Sequence, residues 1–331
     1  MNRARLTLGV AVVLISQGCT SDSDEPPQNT AGAAPDVVLL ASANDAFEAP
    51  DTINAGWTTF QFANNGDDIH YAHFVQLAPG KTASELIAAY AEAIRTSAPR
   101  PEWMTRFGGP GGAVPGGSSA VTQYMEPGNY VLLCPVEDST GTPHFVRGEH
   151  RTVVVRASAI DASARKAPSA TATIRLLDFG FSVDSQMTAG THTIRANNAG
   201  VQGHDLVIMK LAAGITLDDV SRTMNPEAAR RTDSSAKPPV PFENLGTLVG
   251  GIAVIHSGMD AFFTVTLTPG DYALLCMTTA GDGRSHIEHG MIQQRHIHET
   301  HASSTFPDRA PVPGAPWGHP VRSAVASGGS A

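Results

Sequence analysis

Several short runs of the chain alternate apolar and polar residues with a period of two. Trp57-Thr58-Thr59-Phe60-Gln61-Phe62 is one, and Ala261-Phe262-Phe263-Thr264-Val265-Thr266-Leu267 is in part another, with turn residues bounding both. That period puts one set of side chains on one face of a strand. Two stretches change to helical spacing. Thr82-Ala83-Ser84-Glu85 opens the first with a capping-box pattern, followed by Leu86, Tyr90 and Ala93 on one face; Thr216-Leu217-Asp218-Asp219 opens the second, followed by Val220 and Met224. Short strands, turn-rich connections and one inserted helix per half predict an all-β chain of Greek-key β-sandwiches. The 32 glycines and 23 prolines fit such turns.

The pattern occurs twice. Phe47 aligns with Phe181, Gly56 with Gly190, Asn64 with Asn198, Gly66 with Gly200, His70 with His204 and Gly80 with Gly214, all at an offset of 134. After an eight-residue difference the offset becomes 142 and pairs Pro127-Gly128 with Pro269-Gly270, Cys134 with Cys276 and His144 with His286. A chain of 331 residues is long enough for two ordinary domains, and the repeat predicts two copies of one fold. The expected division is a first domain over 36–156, a linker over 157–172 rich in Ala and Ser, and a second domain over 173–301. Residues 20–35 read as a polar tether, and 302–331 as a disordered tail.

Chemistry concentrates where the copies end. In the second, Cys276 is followed by nine residues, His286, four residues and Met291; in the first, Cys134 is followed by nine residues, His144, four residues and Glu149. An upstream His, His204 or His70, completes each set, and alternation puts His73 on the face opposite His70. A thiolate with two imidazoles suits copper, zinc and related ions, and a distant thioether added to them is the donor set of redox copper. His204 opens the run His204-Asp205-Leu206-Val207-Ile208, so its side chain shares a face with Leu206 and Ile208, while Cys276 follows the apolar same-face residues Tyr272 and Leu274. His289 is an alternative to His286 or a neighbour of it, and His296, His298 and His301 read as solvated, with an exposed secondary metal site as the alternative.

With these motifs the chain resembles the cupredoxin family of blue-copper proteins over both repeats. The resemblance implies two tandem cupredoxin-like domains and a type 1 copper site in the second, with His204, Cys276, His286 and Met291 as ligands and one-electron transfer to a redox protein partner as the work. Repeat one departs from the pattern. His70, Cys134 and His144 match, but Glu149 stands in the axial place, where a hard carboxylate favours a less redox-poised copper site or zinc. In an empty site, Glu149 is expected to turn outward or pair with a group such as Arg147. The alternative is a cupredoxin-fold surface or copper-handling protein without electron transfer, since free Cys often serves only as a small buried hydrophobe. Two-domain nitrite reductases and multicopper oxidases are similar in arrangement, but they carry a His directly beside the blue-copper Cys. Here Leu133 and Pro135 flank one Cys, and Leu275 and Met277 the other. No hydrolase elbow, P-loop or His-Glu-x-x-His occurs, so no enzyme activity is expected. The glycine-rich run 108–117 reads as a flexible loop rather than a phosphate cradle.

The third cysteine has a different use. Arg3 and Arg5 precede the apolar run 6–15, which is too short to span a bilayer, and Ser16-Gln17-Gly18-Cys19 resembles a bacterial lipoprotein cleavage box. That implies export, lipidation at Cys19, and a periplasmic or cell-surface protein held at the membrane by its N-terminal lipid. Cys134 and Cys276 then remain as unpaired thiols in separate repeats. A net charge of −9 with no basic cluster disfavours nucleic acid, and no nucleic-acid partner is expected.

Overall fold

The computed structural model describes residues 33–43, 45–96, 98–158, 165–184, 187–225 and 237–299. The signal segment with Cys19, the tail, His301 and part of the expected linker lie outside them. The first repeat runs β1 (Asp36–Ala43), β2 (Ala46–Glu48), β3 (Thr52–Asn54), β4 (Gly56–Asn64), β5 (His73–Leu77), α1 (Ala83–Thr96), β6 (Met104–Arg106), β7 (Ser118–Met125), β8 (Gly128–Leu133), the single turn α2 (His144–Arg147) and β9 (His150–Arg156). The second runs β10 (Ala172–Leu177), β11 (Gly180–Val183), β12 (Gly190–Asn198), β13 (His204–Leu211), α3 (Leu217–Met224), the single turn α4 (Phe242–Leu245), β14 (Gly246–Ile255), β15 (Asp260–Leu267), β16 (Gly270–Leu275) and β17 (Ile292–Ile297).

Both repeats have the same wiring. β1 pairs parallel with β4 and β4 antiparallel with β7, as β10 pairs with β12 and β12 with β15. In the other layer β5 and β9 flank β8, as β13 and β17 flank β16. The result is the all-β sandwich expected, with α1 and α3 as the inserted helices. Both helices start with the reciprocal cap read from sequence: Glu85 N–H donates to Thr82 Oγ1 at 3.2 Å and Thr82 N–H to Glu85 Oε2 at 2.9 Å, and Thr216 and Asp219 do the same.

Equivalent side chains make equivalent bonds at the two offsets. Asn64 donates Nδ2–H to the Asp68 and Ala113 carbonyls at 2.7 and 2.8 Å, and Asn198 to those of Gln202 and Ile255 at 2.8 and 2.9 Å. Each Asn thereby ties the loop before an upstream His to its neighbouring strand, using a buried amide that would be costly to leave unpaired. Tyr130 and Tyr272 likewise bury their rings and donate to the Glu126 and Thr268 carbonyls, both at 2.9 Å.

The spacing of the repeats does not reveal how closely they join. β7 pairs antiparallel with β15, so one eight-stranded sheet runs β11-β10-β12-β15-β7-β4-β1-β2 through both. In the other layer the 108–117 run, expected to be a flexible loop, is tied to β14. Gly108 N–H donates to Val254 O at 2.8 Å and Ala253 N–H to Gly109 O at 2.9 Å. Its glycines serve close backbone approach between repeats. One apolar cluster accordingly contains Phe60, Phe74, Phe107 and Cys134 of the first repeat with Leu206, Ile252, Phe263 and Cys276 of the second.

Candidate metal centre

The second cluster forms where β13 begins and β16 ends. His204 and Cys276 are fully buried, and Leu206, Ile208, Tyr272 and Leu274 join the same core on the same faces, as the alternation predicts. The loop after Cys276 turns back because His286 N–H donates to Thr278 O at 2.9 Å, and Met291 N–H to His286 O at 2.8 Å. Cys276 N–H in turn donates to Met291 O at 3.2 Å, holding the loop's two ends together. Three donor atoms converge: His204 Nδ1 and His286 Nδ1 are 3.0 Å apart, and Cys276 Sγ is 3.3 Å from the second and 3.8 Å from the first. An ion with bonds of about 2.0 Å to nitrogen and about 2.3 Å to sulfur sets its donors roughly 3.3–3.8 Å apart. The cluster meets that requirement to within a few tenths of an ångström. Met291 is fully buried in the same apolar cluster as Cys276.

The protonation pattern also fits a metal. His204 donates Nε2–H to Asp178 Oδ1 at 2.6 Å, which leaves the Nδ1 lone pair directed at His286 and Cys276. Against the cost of burial, the Val201 N–H, His204 and the Gln202 N–H together hold the Asp178 carboxyl below its ordinary range. Burial, then His204 and Arg106, hold His286 down to about 3, so its ring is neutral. Its buried Nε2 has no partner among the described residues. Burial, then Asp205, push the Cys276 thiol well up, so a metal must displace its proton.

Sequence reasoning missed Asp178. It sits between β10 and β11, far from the ligands in the chain, and reads as an ordinary turn residue. Gly200 leaves room for its bond, because a Cβ there would fall 2.8 Å from His204 Nε2 and against Asp178 Oδ1. Asp178→Ala is expected to lower metal affinity by about 10- to 100-fold, read by competition with a chromophoric chelator. Asp271→Ala, which removes surface contacts with His296 and Gln294 away from the donors, should leave the affinity unchanged.

The first cluster has the same frame and a different fourth group. His144 N–H donates to Val136 O at 2.8 Å, Glu149 N–H to His144 O at 3.1 Å and Cys134 N–H to Glu149 O at 3.2 Å, so Glu149 takes the backbone place of Met291. His144 Nδ1 is 3.3 Å from His70 Nδ1, 3.6 Å from Cys134 Sγ and 3.3 Å from Glu149 Oε2. The expectation that Glu149 turns outward or pairs with Arg147 is incorrect. Glu149 is fully buried, meets His70 Nδ1 at 2.7 Å and accepts a short bond from Ser42 Oγ. Arg147 is occupied on the surface by Asp138 and Asp45. With two hydrogen-bonding partners inside, the carboxylate need not reach water. Burial, then Glu149, push the Cys134 thiol well up. His289 stands outside both clusters, stacked on Phe179 and 3.1 Å from Asp282, and His296 meets Asp271 at 2.9 Å. Cys134 and Cys276 are both free thiols, as expected.

Neither a protein-family model nor a curated protein matches the chain. Among solved structures, it is similar to the dithionite-reduced auracyanin of Roseiflexus castenholzii at 22% identity over 39% of this chain and 98% of that one, with a TM-score of 0.25. It is similar to auracyanin A, a "blue" copper protein of Chloroflexus aurantiacus, at 19% identity over 37% and 100%, with a TM-score of 0.29. A multicopper oxidase structure aligns at 11% identity over 79% of this chain and 87% of that one, with a TM-score of 0.21. The topology repeated in both halves, with a Cys-His-His cluster at the end of equivalent strands in each, gives the chain a cupredoxin-like fold.

Proposed function

We propose that the chain is a copper-binding one-electron carrier whose redox centre lies in the second repeat, held by His204, Cys276 and His286 with Met291 as a weak fourth ligand. The observation that carries this reading is the convergence of Cys276 Sγ and the two Nδ1 atoms within 3.8 Å of one another, with the tautomer of His204 set by Asp178. Copper in such a donor set supplies reversible one-electron chemistry between Cu(II) and Cu(I). The chain's contribution is to fix three donors in place before the metal arrives and to keep them dry. Rigid donors reduce the rearrangement that accompanies each change of charge. No His adjoins either Cys, so nothing wires the centre to a second catalytic metal; this supports a carrier serving a redox protein partner rather than an enzyme. The test is the visible and EPR spectrum of the exported chain after addition of Cu(II).

A second reading, copper handling without electron transfer, is favoured at the first repeat by one observation, the buried Glu149 carboxylate facing His70 and His144. A thiolate and a carboxylate together neutralise a divalent ion, and four donors close the site. We assign this cluster a redox-poor Cu(II) or zinc ion.

For location, the reading is export and lipid attachment at Cys19, giving a periplasmic or cell-surface lipoprotein. No helix among the described residues is long and apolar enough to cross a membrane. In a bacterial host, Cys19→Ser is expected to move the protein from the membrane fraction to the soluble one. Intact-mass analysis showing no added diacylglyceryl group on the native protein would remove this part of the reading.

A further inference from the structure

A cavity of about 460 Å³ lies between the repeats, against both cysteine loops. Tyr71, His73, Tyr90 and Arg100 line it from the first repeat, and Asp205 and Thr278 from the second. Two guanidinium groups stand beside it. Arg100 lies 5.2 Å from the centre of the Tyr90 ring and donates from Nη1 to Thr279 O at 3.3 Å, while Arg106 Nη1 donates to Thr278 Oγ1 at 2.5 Å. Among the described residues neither has a carboxylate within ion-pair distance, and the buried Nε of Arg100 has no partner. Burial, then the charge of Arg100, hold Arg106 down to about 10, against the opposing influence of Tyr90, Cys276 and Asp205. Like charges with no carboxylate in contact project a positive potential into the space beside them, reduced by the longer-range charge of Asp205. Asp205 and Glu137 also line the cavity, but neither lies within ion-pair distance of a guanidinium; Asp205 accepts from the Met277 N–H at 2.7 Å, and burial raises both carboxyls above their ordinary range.

His73 adds direction to this charge. It is 1% exposed, hydrogen-bonds the Val254 carbonyl through one ring nitrogen, and leaves Nε2 without a partner. Burial, then Arg106 and Arg100, hold it down to about 3, so Nε2 presents a lone pair and accepts rather than donates. Apart from Glu137, the rest of the lining is largely apolar, with Ile94, Ala98 and Val254 among it. A cavity with a cationic end, a hydrogen-bond acceptor and apolar walls has the make-up of a small-molecule site.

We propose that this cavity binds a small organic carboxylate that also carries a hydroxyl or amino donor, with the carboxylate on Arg100, the donor on His73 Nε2 and the body against Ile94, Ala98 and Val254. The site does not depend on bound metal. Its position sets the occupant against the loops that leave both cysteines, since Pro135 and Val136 follow Cys134, and Met277 and Thr278 follow Cys276.

The test is isothermal titration of the full chain with 4-hydroxybenzoate, benzoate and 4-hydroxybenzyl alcohol. One 4-hydroxybenzoate should bind per chain, and replacing its carboxylate by the neutral alcohol should weaken binding by about tenfold or more. Removing the hydroxyl, in benzoate, should weaken it by about threefold or more. Arg100→Gln should bring the acid down to the affinity of the alcohol while leaving the alcohol's own affinity unchanged. An absence of 4-hydroxybenzoate binding, equal affinities for acid and alcohol, or an Arg100→Gln protein that binds the acid as the native one does would overturn the site. Benzoate binding as tightly as 4-hydroxybenzoate would overturn the role of His73. The ligand series needs no variant, so a folding defect cannot imitate the result.

Discussion

Cys276→Ser should remove the colour of the copper-loaded protein completely. In a His₂Cys centre the intense visible band arises from charge transfer between thiolate sulfur and Cu(II), and the same covalency narrows the copper hyperfine splitting in EPR. A serine oxygen at that position supplies neither, even where two imidazoles still bind copper. Cys276 is wholly buried among Tyr272, Leu274 and Ile252, so the hydroxyl also costs about 1–3 kcal/mol in stability unless it finds a partner. Circular dichroism should therefore show a folded β-protein with a lowered Tm, separating loss of the chromophore from loss of the fold. A native protein that takes up no copper, or shows only a pale tetragonal spectrum, would end the electron-transfer reading and leave copper handling in its place.

The features legible in the sequence were those written twice. The shift of offset from 134 to 142 recurs as the Asn64/Asn198 and Tyr130/Tyr272 bonding patterns, so the repeated residues report shared topology directly. The three matched donors are visible because each lies at a strand end or a fixed distance along one loop. What was not legible depends on contacts between distant strands. Ser42 reaches Glu149 from β1, Asp178 reaches His204 from the turn after β10, and Arg106 reaches Thr278 from the other repeat. None of these has a local signature. The pairing of β7 with β15 is hidden for the same reason, since its residues read as ordinary alternating strand. Glu149 departs from expectation because Arg147, two residues away in sequence, is not its partner. In the fold that arginine is held by Asp45 and Asp138, and the buried interior provides Ser42 and His70 instead.

The difference between Glu149 and Met291 leads to the second large effect, one strongly coloured copper per native chain and two after a designed exchange. Both residues hang from the same backbone frame, with N–H to the preceding His carbonyl and C=O from the Cys N–H, so the comparison isolates the side chain. A carboxylate lying 2.7 Å from His70 Nδ1 and 3.3 Å from His144 Nδ1 offers an anionic oxygen to any ion between them. Such oxygen favours Cu(II) over Cu(I) and competes with the thiolate for the ion's charge, which weakens the blue character. Glu149→Met removes that competition but leaves the Ser42 hydroxyl buried without its acceptor, at a cost of about 1–3 kcal/mol. Pairing it with Ser42→Ala avoids this cost. The native protein should then show one intense visible chromophore, retained in Cys134→Ser and lost in Cys276→Ser. The Ser42→Ala/Glu149→Met protein should show about twice the visible absorbance at equal protein concentration, with the added half dependent on Cys134. Metal analysis alongside the spectra distinguishes a converted site from an empty one, because the copper content must rise with the colour or replace zinc already present. Two equally blue coppers in the native chain, or native colour that depends on Cys134, would reverse the assignment of the repeats.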